Sequence, residues 1–138
     1  MPAKDIFHDC VKHALVKDGW TITDDPLKLK WGKSKLYVDL AAEKFLAAEK
    51  SGRKIAVEVK SFVGASALRD LEQALGQFMI YHAVLQRQKP KRVLYLAVNK
   101  ETHQNIFEED VGRLMIEAYG IPIIVFDEKT EVVVRWIL

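Results

Sequence analysis

The sequence predicts an α/β fold, a mixed β-sheet with flanking helices, in the order α-β-β-β-α-β followed by a C-terminal α-β-β. Three observations predict it. Apolar residues recur at helical spacing in three separate segments. Strict two-residue alternation marks half-buried strands in the first half of the chain. Near-continuous apolar runs at Val93–Val98 and Ile121–Phe126 mark buried strands in the second. No linker or composition shift divides the 138 residues, so one domain is expected.

From Asp5 to Asp18, Ile6, Cys10, Val11, Ala14 and Leu15 fall at helical spacing and Gly19 is the stop. Trp20–Thr23 is a short strand or extended link, and Asp24-Asp25-Pro26 turns the chain. Leu27-Lys28-Leu29-Lys30-Trp31 alternates as a half-buried strand does; Gly32-Lys33-Ser34 breaks it, and a strand resumes from Lys35 to about Ala42. Ala41-Ala42-Glu43-Lys44 recurs as Ala47-Ala48-Glu49-Lys50, helix-favouring composition between two strands. Ser51-Gly52 then turns into the strand Lys54–Lys60. If that turn closes an unbroken hairpin, Glu58 pairs near Phe45, far from Asp39. Bringing Asp39 to Glu58 requires the intervening segment to bulge, bend or form a helical turn.

Ser66 is placed to cap a long helix. Leu68, Leu71, Leu75, Phe78, His82 and Leu85 make one stripe of it; Gln73, Gln77 and Tyr81 make a second at i, i+4, i+8. The helix should end before Pro90. A further helix is expected from about Thr102 to Tyr119, with Gly120 beyond its end. After the strand Ile121–Phe126, Asp127-Glu128-Lys129-Thr130 turns the chain and Glu131–Ile137 returns as a hairpin partner. Trp20, Trp31 and Trp136 read as packing residues.

Composition excludes several classes. Hydrophobic residues at 49% supply a core, which excludes disorder, and a net charge of +2 is too balanced to coat nucleic acid by bulk electrostatics. DNA contact would come from local patches: Lys28, Lys30, Lys33 and Lys35, or Lys89, Lys91 and Arg92. Taken singly, each patch reads first as solvated lysines on strands and turns. The single cysteine, Cys10, allows no intrachain disulfide and reads as a small packed side chain. No apolar run is long enough for a membrane span, and the first five residues lack the apolar core of a signal peptide, so a cytoplasmic protein is expected. The four histidines have no H-x-x-x-H spacing, and no Gly-rich phosphate loop or G-x-S-x-G elbow occurs. His82, on the apolar stripe, reads as a core histidine, and His8 as structural.

The chemistry lies in Asp39, Glu58 and Lys60. In Ile55-Ala56-Val57-Glu58-Val59-Lys60, alternation sends the aliphatic side chains to one face and Glu58 and Lys60 to the other. Asp39 sits in a second apolar run, Leu36–Leu40. Charges in such places are paired or bound to metal. Two carboxylates and the Val59 carbonyl suit Mg²⁺, and Lys60 could orient the attacking water or neutralise the transition state; the implied reaction is metal-assisted phosphodiester hydrolysis. An ordinary Glu58–Lys60 ion pair is the plainer alternative.

Asp39 followed by Glu58-Val59-Lys60 resembles the D…(D/E)-x-K signature of the restriction-endonuclease-like PD-(D/E)XK nuclease superfamily, with Val38 where that pattern often has proline. Gln77-Phe78-Met79-Ile80-Tyr81 resembles the Q-x-x-x-Y helix motif of its RecB-like members, whose glutamine and tyrosine lie beside metal and DNA. The resemblance implies catalytic Asp39, Glu58 and Lys60. It also implies Mg²⁺ or Mn²⁺ on Asp39, Glu58 and Val59, and DNA-binding or supporting roles for Gln77, Tyr81 and Ser61. Some members carry an acidic residue in the N-terminal helix near the metal; Asp5 and Asp9 are the candidates.

Over nearly the whole chain, Phe7-His8-Asp9, Val11-Lys12, Lys17–Trp20, Ile55–Phe62, Gln73–Phe78 and Val93–Val98 resemble the XisH-type fdxN element excision controlling factor family. That resemblance implies a role in programmed DNA excision beside a site-specific recombinase and a XisI-type companion factor. Two readings follow: a Mg²⁺-dependent DNA endonuclease controlling excision, or a non-catalytic DNA- or protein-binding accessory that retains the nuclease fold. The outer strands and terminal hairpin could also support a homodimer, and no membrane partner is expected.

Overall fold

The computed structural model describes residues 4–45, 52–108 and 110–138. Helix α1 (His8–Lys17) leads into strands β1 (Thr21–Asp24), β2 (Leu27–Trp31), β3 (Ser34–Val38), β4 (Leu40–Lys44) and β5 (Arg53–Val59). Helix α2 (Ala67–Gln88), strand β6 (Arg92–Asn99), a short helix α3 (Lys100–Thr102) continuing into a π-helical turn (His103–Phe107), helix α4 (Asp110–Tyr119) and strands β7 (Ile123–Asp127) and β8 (Val132–Ile137) complete it.

Six strands form one mixed sheet in the order β1-β4-β5-β6-β7-β8, in which β5, β6 and β7 are parallel and the other pairings antiparallel. Counting only the strands of this sheet, the order is α-β-β-β-α-β and then α-β-β. The β2–β3 hairpin is a separate two-stranded sheet inserted between β1 and β4.

The sheet is buried on both faces. Ile55, Val57 and Val59 of β5 join Val11 and Leu15 of α1 on one side; Ala56 joins Leu71, Ala74 and Phe78 of α2 on the other. The inner face of the hairpin (Leu27, Leu29, Val38) seals the α2 side. Alternation therefore sends Glu58 toward α2.

Several expectations change. Ile6 and Leu68 point to solvent, because the chain before His8 is still a turn and Leu68 lies in the first turn of α2, before the helix meets the sheet. His82 is exposed and stacks on Phe78 (5.8 Å between ring centres), and Trp31 is 49% exposed at the hairpin tip. The expected 102–119 helix is broken. Asp110 has φ 63°, which a right-handed helix cannot continue through. Gly112 also lies so near Ile106 that a Cβ there would stand 2.1 Å from its carbonyl oxygen. Where sequence expected α2 to be capped and stopped, it is: the Ser66 hydroxyl accepts from the Arg69 N–H (3.3 Å) and the helix ends at Gln88. Among the described residues no helix is long and apolar enough to cross a membrane.

Candidate active site

The strand expected from Lys35 to Ala42 is two strands, β3 and β4, with a bend at Asp39 between them. This bend moves the chain from the hairpin into the main sheet. Strand β4 then pairs with β5 from Leu40↔Val57 to Lys44↔Arg53. One step beyond that register sets Asp39 opposite Glu58. The pairing stops at Lys44↔Arg53, so the strands are not joined by the unbroken hairpin that Ser51-Gly52 would close, and Asp39 meets Glu58 by way of this wider reversal; the repeat Ala47–Lys50 falls outside the described residues.

Asp39 and Glu58 hold each other by crossed bonds. The Asp39 N–H donates to Glu58 Oε1 (3.2 Å), and the Val59 N–H donates to Asp39 Oδ2 (2.7 Å). Glu58 is only 6% exposed. Burial first, then the Asp39 charge and a hydrogen bond between the two carboxyl groups, push its pKa up to about 9; the charge of Asp5 adds to this. The pair thus keeps a proton at neutral pH. Burial and then the same two carboxylates push the Tyr81 hydroxyl up to about 12, so it stands within their field and stays protonated.

Lys60 is half-buried, and its ammonium donates to Gln73 Oε1 (3.3 Å), so the Glu58–Lys60 ion pair of the plainer reading is not formed. Gln77, half-buried, lies between Gln73 and Tyr81 on the same helix face. Ser61 is buried; its backbone N–H donates to Asp5 Oδ2 (3.0 Å), which makes it a support for Asp5. Asp5 also accepts from the Phe7 N–H (2.9 Å). Asp9 is exposed. His8 is buried away from this cluster, with Nε2 2.7 Å from Asp25 Oδ1 while Lys12 donates to Asp25 Oδ2 (2.8 Å). Sequence reasoning placed Gln73 on the Gln77–Tyr81 stripe without giving it a role. Its signal was that stripe, one turn nearer the start of the helix.

The XisH protein family profile matches residues 1–134. The chain belongs to the XisH family. Crystal structures of two relatives superpose on it. An XisH family protein from Nostoc punctiforme PCC 73102 is 44% identical over 97% of this chain and all of its own, with a TM-score of 0.88. A protein from Anabaena variabilis described as an fdxN element excision controlling factor is 43% identical over 98% of this chain and all of its own, with a TM-score of 0.86. No curated protein matches.

The donor set of this XisH-family chain fits a hard divalent cation. Mg²⁺ takes one or two carboxylates, keeps several waters and shares substrate oxygens. Asp39 and Glu58 supply the two carboxylates. A strand residue directs its N–H and C=O toward the same neighbour, so the Val59 carbonyl leaves β5 on the Asp39 side. Among the described residues no group of three or more His, Cys, Asp or Glu is placed to hold a metal ion by itself. The arrangement suits a cation shared with substrate.

Proposed function

We propose that this XisH-family protein is a Mg²⁺- or Mn²⁺-dependent endodeoxyribonuclease with a restriction-endonuclease-like core, acting in the cytoplasm in excision of a DNA element. The crossed Asp39–Glu58 pair carries the reading. Two carboxyl groups buried side by side must keep a proton or take a cation, and a cation makes both charges favourable. When bound, the cation would polarise a phosphoryl oxygen and offset the charge building on it.

The chain's own residues do the rest. The Val59 N–H orients Asp39, and the Asp39 N–H orients Glu58. Lys60, held in place by Gln73, can turn its ammonium onto a phosphate oxygen. Tyr81 keeps a hydroxyl proton to donate, Gln77 offers an amide beside it, and Ser61 steadies Asp5 at the rim. Purified protein should nick plasmid DNA with Mg²⁺ or Mn²⁺, and Glu58→Ala or Lys60→Ala should abolish this. Cutting by either variant at the wild-type rate sinks the residue assignment.

One observation favours the accessory reading, in which the fold binds DNA or protein without cutting. With a proton on the carboxyl pair and Lys60 engaged by Gln73, the site satisfies itself. The relative's description as a controlling factor suits it too. Binding to DNA that survives Asp39→Ala, with no cleavage under any divalent cation, would select it. A site-specific recombinase, a XisI-type companion factor and a second copy of the chain remain proposed partners; a monomeric mass in solution would remove the last.

A further inference from the structure

The β2–β3 hairpin has two unlike faces. Leu27, Leu29, Leu36 and Val38 pack inward on the α2 side of the core. Lys28 and Lys30 alternate with them on β2, Lys35 and Tyr37 on β3, and Lys33 sits in the turn. Between Leu27 and Val38 there are four lysines and no acidic residue, against a net charge of +2 for the whole chain.

Lys28 lies opposite Tyr37, and Lys30 directly opposite Lys35. Like charges across a strand pair are destabilising. All four lysines are exposed, and among the described residues none of them forms an ion pair. The fold does nothing to relieve this repulsion. It also fixes the arm, since the Gln88 side-chain amide at the end of α2 donates to the Lys30 carbonyl (2.7 Å).

Strand β3 runs into Asp39. At about 3.3 Å per residue, Lys35 is roughly 13 Å of chain from that carboxylate and Lys33 roughly 20 Å. Lys28, opposite Tyr37, stands level with a point only about 7 Å of chain from that carboxylate. A nucleic-acid strand advances about 3.4 Å per nucleotide along its duplex, so the row covers roughly two to six nucleotide steps from a phosphate at Asp39. The outer face offers point charges and a phenol. It has none of the arginine, asparagine or glutamine forks that read base edges.

We propose that the outer face of the β2–β3 hairpin grips the phosphodiester backbone of duplex DNA, independently of base sequence, and delivers one strand to Asp39. That the ligand is DNA rests on the phosphodiester reading of the carboxylate site; that the face holds an extended polyanion rests on the hairpin alone.

The test is fluorescence anisotropy of the full chain on a labelled 25-base-pair duplex, in EDTA, between 50 and 200 mM KCl. Each phosphate contact contributes about 0.9 to the log–log salt slope, so four lysines predict about 150-fold weakening over that range, and Lys30→Gln/Lys35→Gln about 12-fold. Two duplexes of unrelated sequence should bind alike. Lys35→Glu should raise the melting temperature, by turning a like-charge pair into an opposite one, while weakening binding. A double variant with the wild-type slope and affinity overturns the proposal. So does tighter binding to poly-glutamate than to DNA at equal salt, which would identify an acidic protein partner. Cleavage with Mg²⁺ is scored separately. Lysine-dependent binding without cleavage defeats the nuclease reading alone; cleavage with hairpin-independent binding defeats the hairpin alone.

Discussion

Glu58→Gln should stabilise the metal-free protein relative to wild type by a margin that grows as pH rises, an unusual result for a substitution at a proposed catalytic residue. Glu58 is 6% exposed, and its pKa rises from 4.5 to about 9 because of burial, the Asp39 charge and the hydrogen bond between the two carboxyl groups. The folded protein therefore holds a proton that the unfolded chain gives up. The stabilising effect is complete below about pH 4.5 and drains away as pH rises toward about 9. The loss runs at about 1.4 kcal/mol per pH unit, or about 3 kcal/mol between pH 6 and 8. A glutamine keeps the shape and stays neutral, so its protein should not share that loss. Relative to wild type, the variant should gain roughly 10 °C in melting temperature across those two units. Thermal unfolding of both proteins in EDTA from pH 5.5 to 8.5 measures it. Adding Mg²⁺ should recover wild-type stability increasingly at high pH, since the cation displaces the proton, and should leave the variant unmoved. Parallel pH profiles for the two proteins would refute the protonated pair.

Asp39→Asn removes the charge that, after burial, does most to raise Glu58, so it should flatten the same pH profile and abolish cleavage; an unchanged profile would show that burial acts alone. Gln73→Ala frees the Lys60 ammonium and should lower the cleavage rate at saturating DNA while leaving Mg²⁺-induced stabilisation intact, which separates positioning from metal binding. The Lys12 and His8 bonds hold the Asp25 carboxyl below its usual range despite the opposing effect of burial. Its stabilising effect is therefore present above pH 3.8 and lost below it, and Asp25→Asn should cost about 1–3 kcal/mol in neutral urea unfolding. Gly112→Ala would drive a Cβ into the Ile106 carbonyl, so α4 must shift; a cost of about 1–3 kcal/mol is expected by denaturant unfolding, and a neutral result would mean the π-helical turn yields freely.

What was legible in the sequence is what local periodicity controls. The alternation around Glu58 sends that residue to one face and its aliphatic neighbours to the other, and the burial of Ile55, Val57 and Val59 beneath α1 follows the same parity. The long α2 and the apolar runs of β6 and β7 were equally plain. The break in the 102–119 helix was not, because it depends on a left-handed backbone at Asp110 and a close approach at Gly112 between segments that each favour helix. Asp5 illustrates another limit. Its bond to the Ser61 N–H joins residues 56 apart in sequence, and no spacing rule reaches that far.

The meeting of Asp39 and Glu58 was the hardest inference, and its physical answer is simple. Strand pairing fixes partners by register, so the partner of Glu58 depends on how wide the reversal between β4 and β5 is. Reading Ser51-Gly52 as a tight turn set Phe45 opposite Glu58 and made Asp39 seem to need a distortion in between. The observed register meets that need with a wider reversal between Lys44 and Arg53. A bend at Asp39 itself takes the chain from the hairpin into the main sheet. One bend thereby does two things. It ends a lysine-bearing strand packed against the α2 side of the core, and it sets Asp39 opposite the glutamate, one step before the buried strand β4 begins against Val57. A substitution that straightened this bend would separate the basic arm from the carboxylate pair, and would disturb DNA binding and proton retention together.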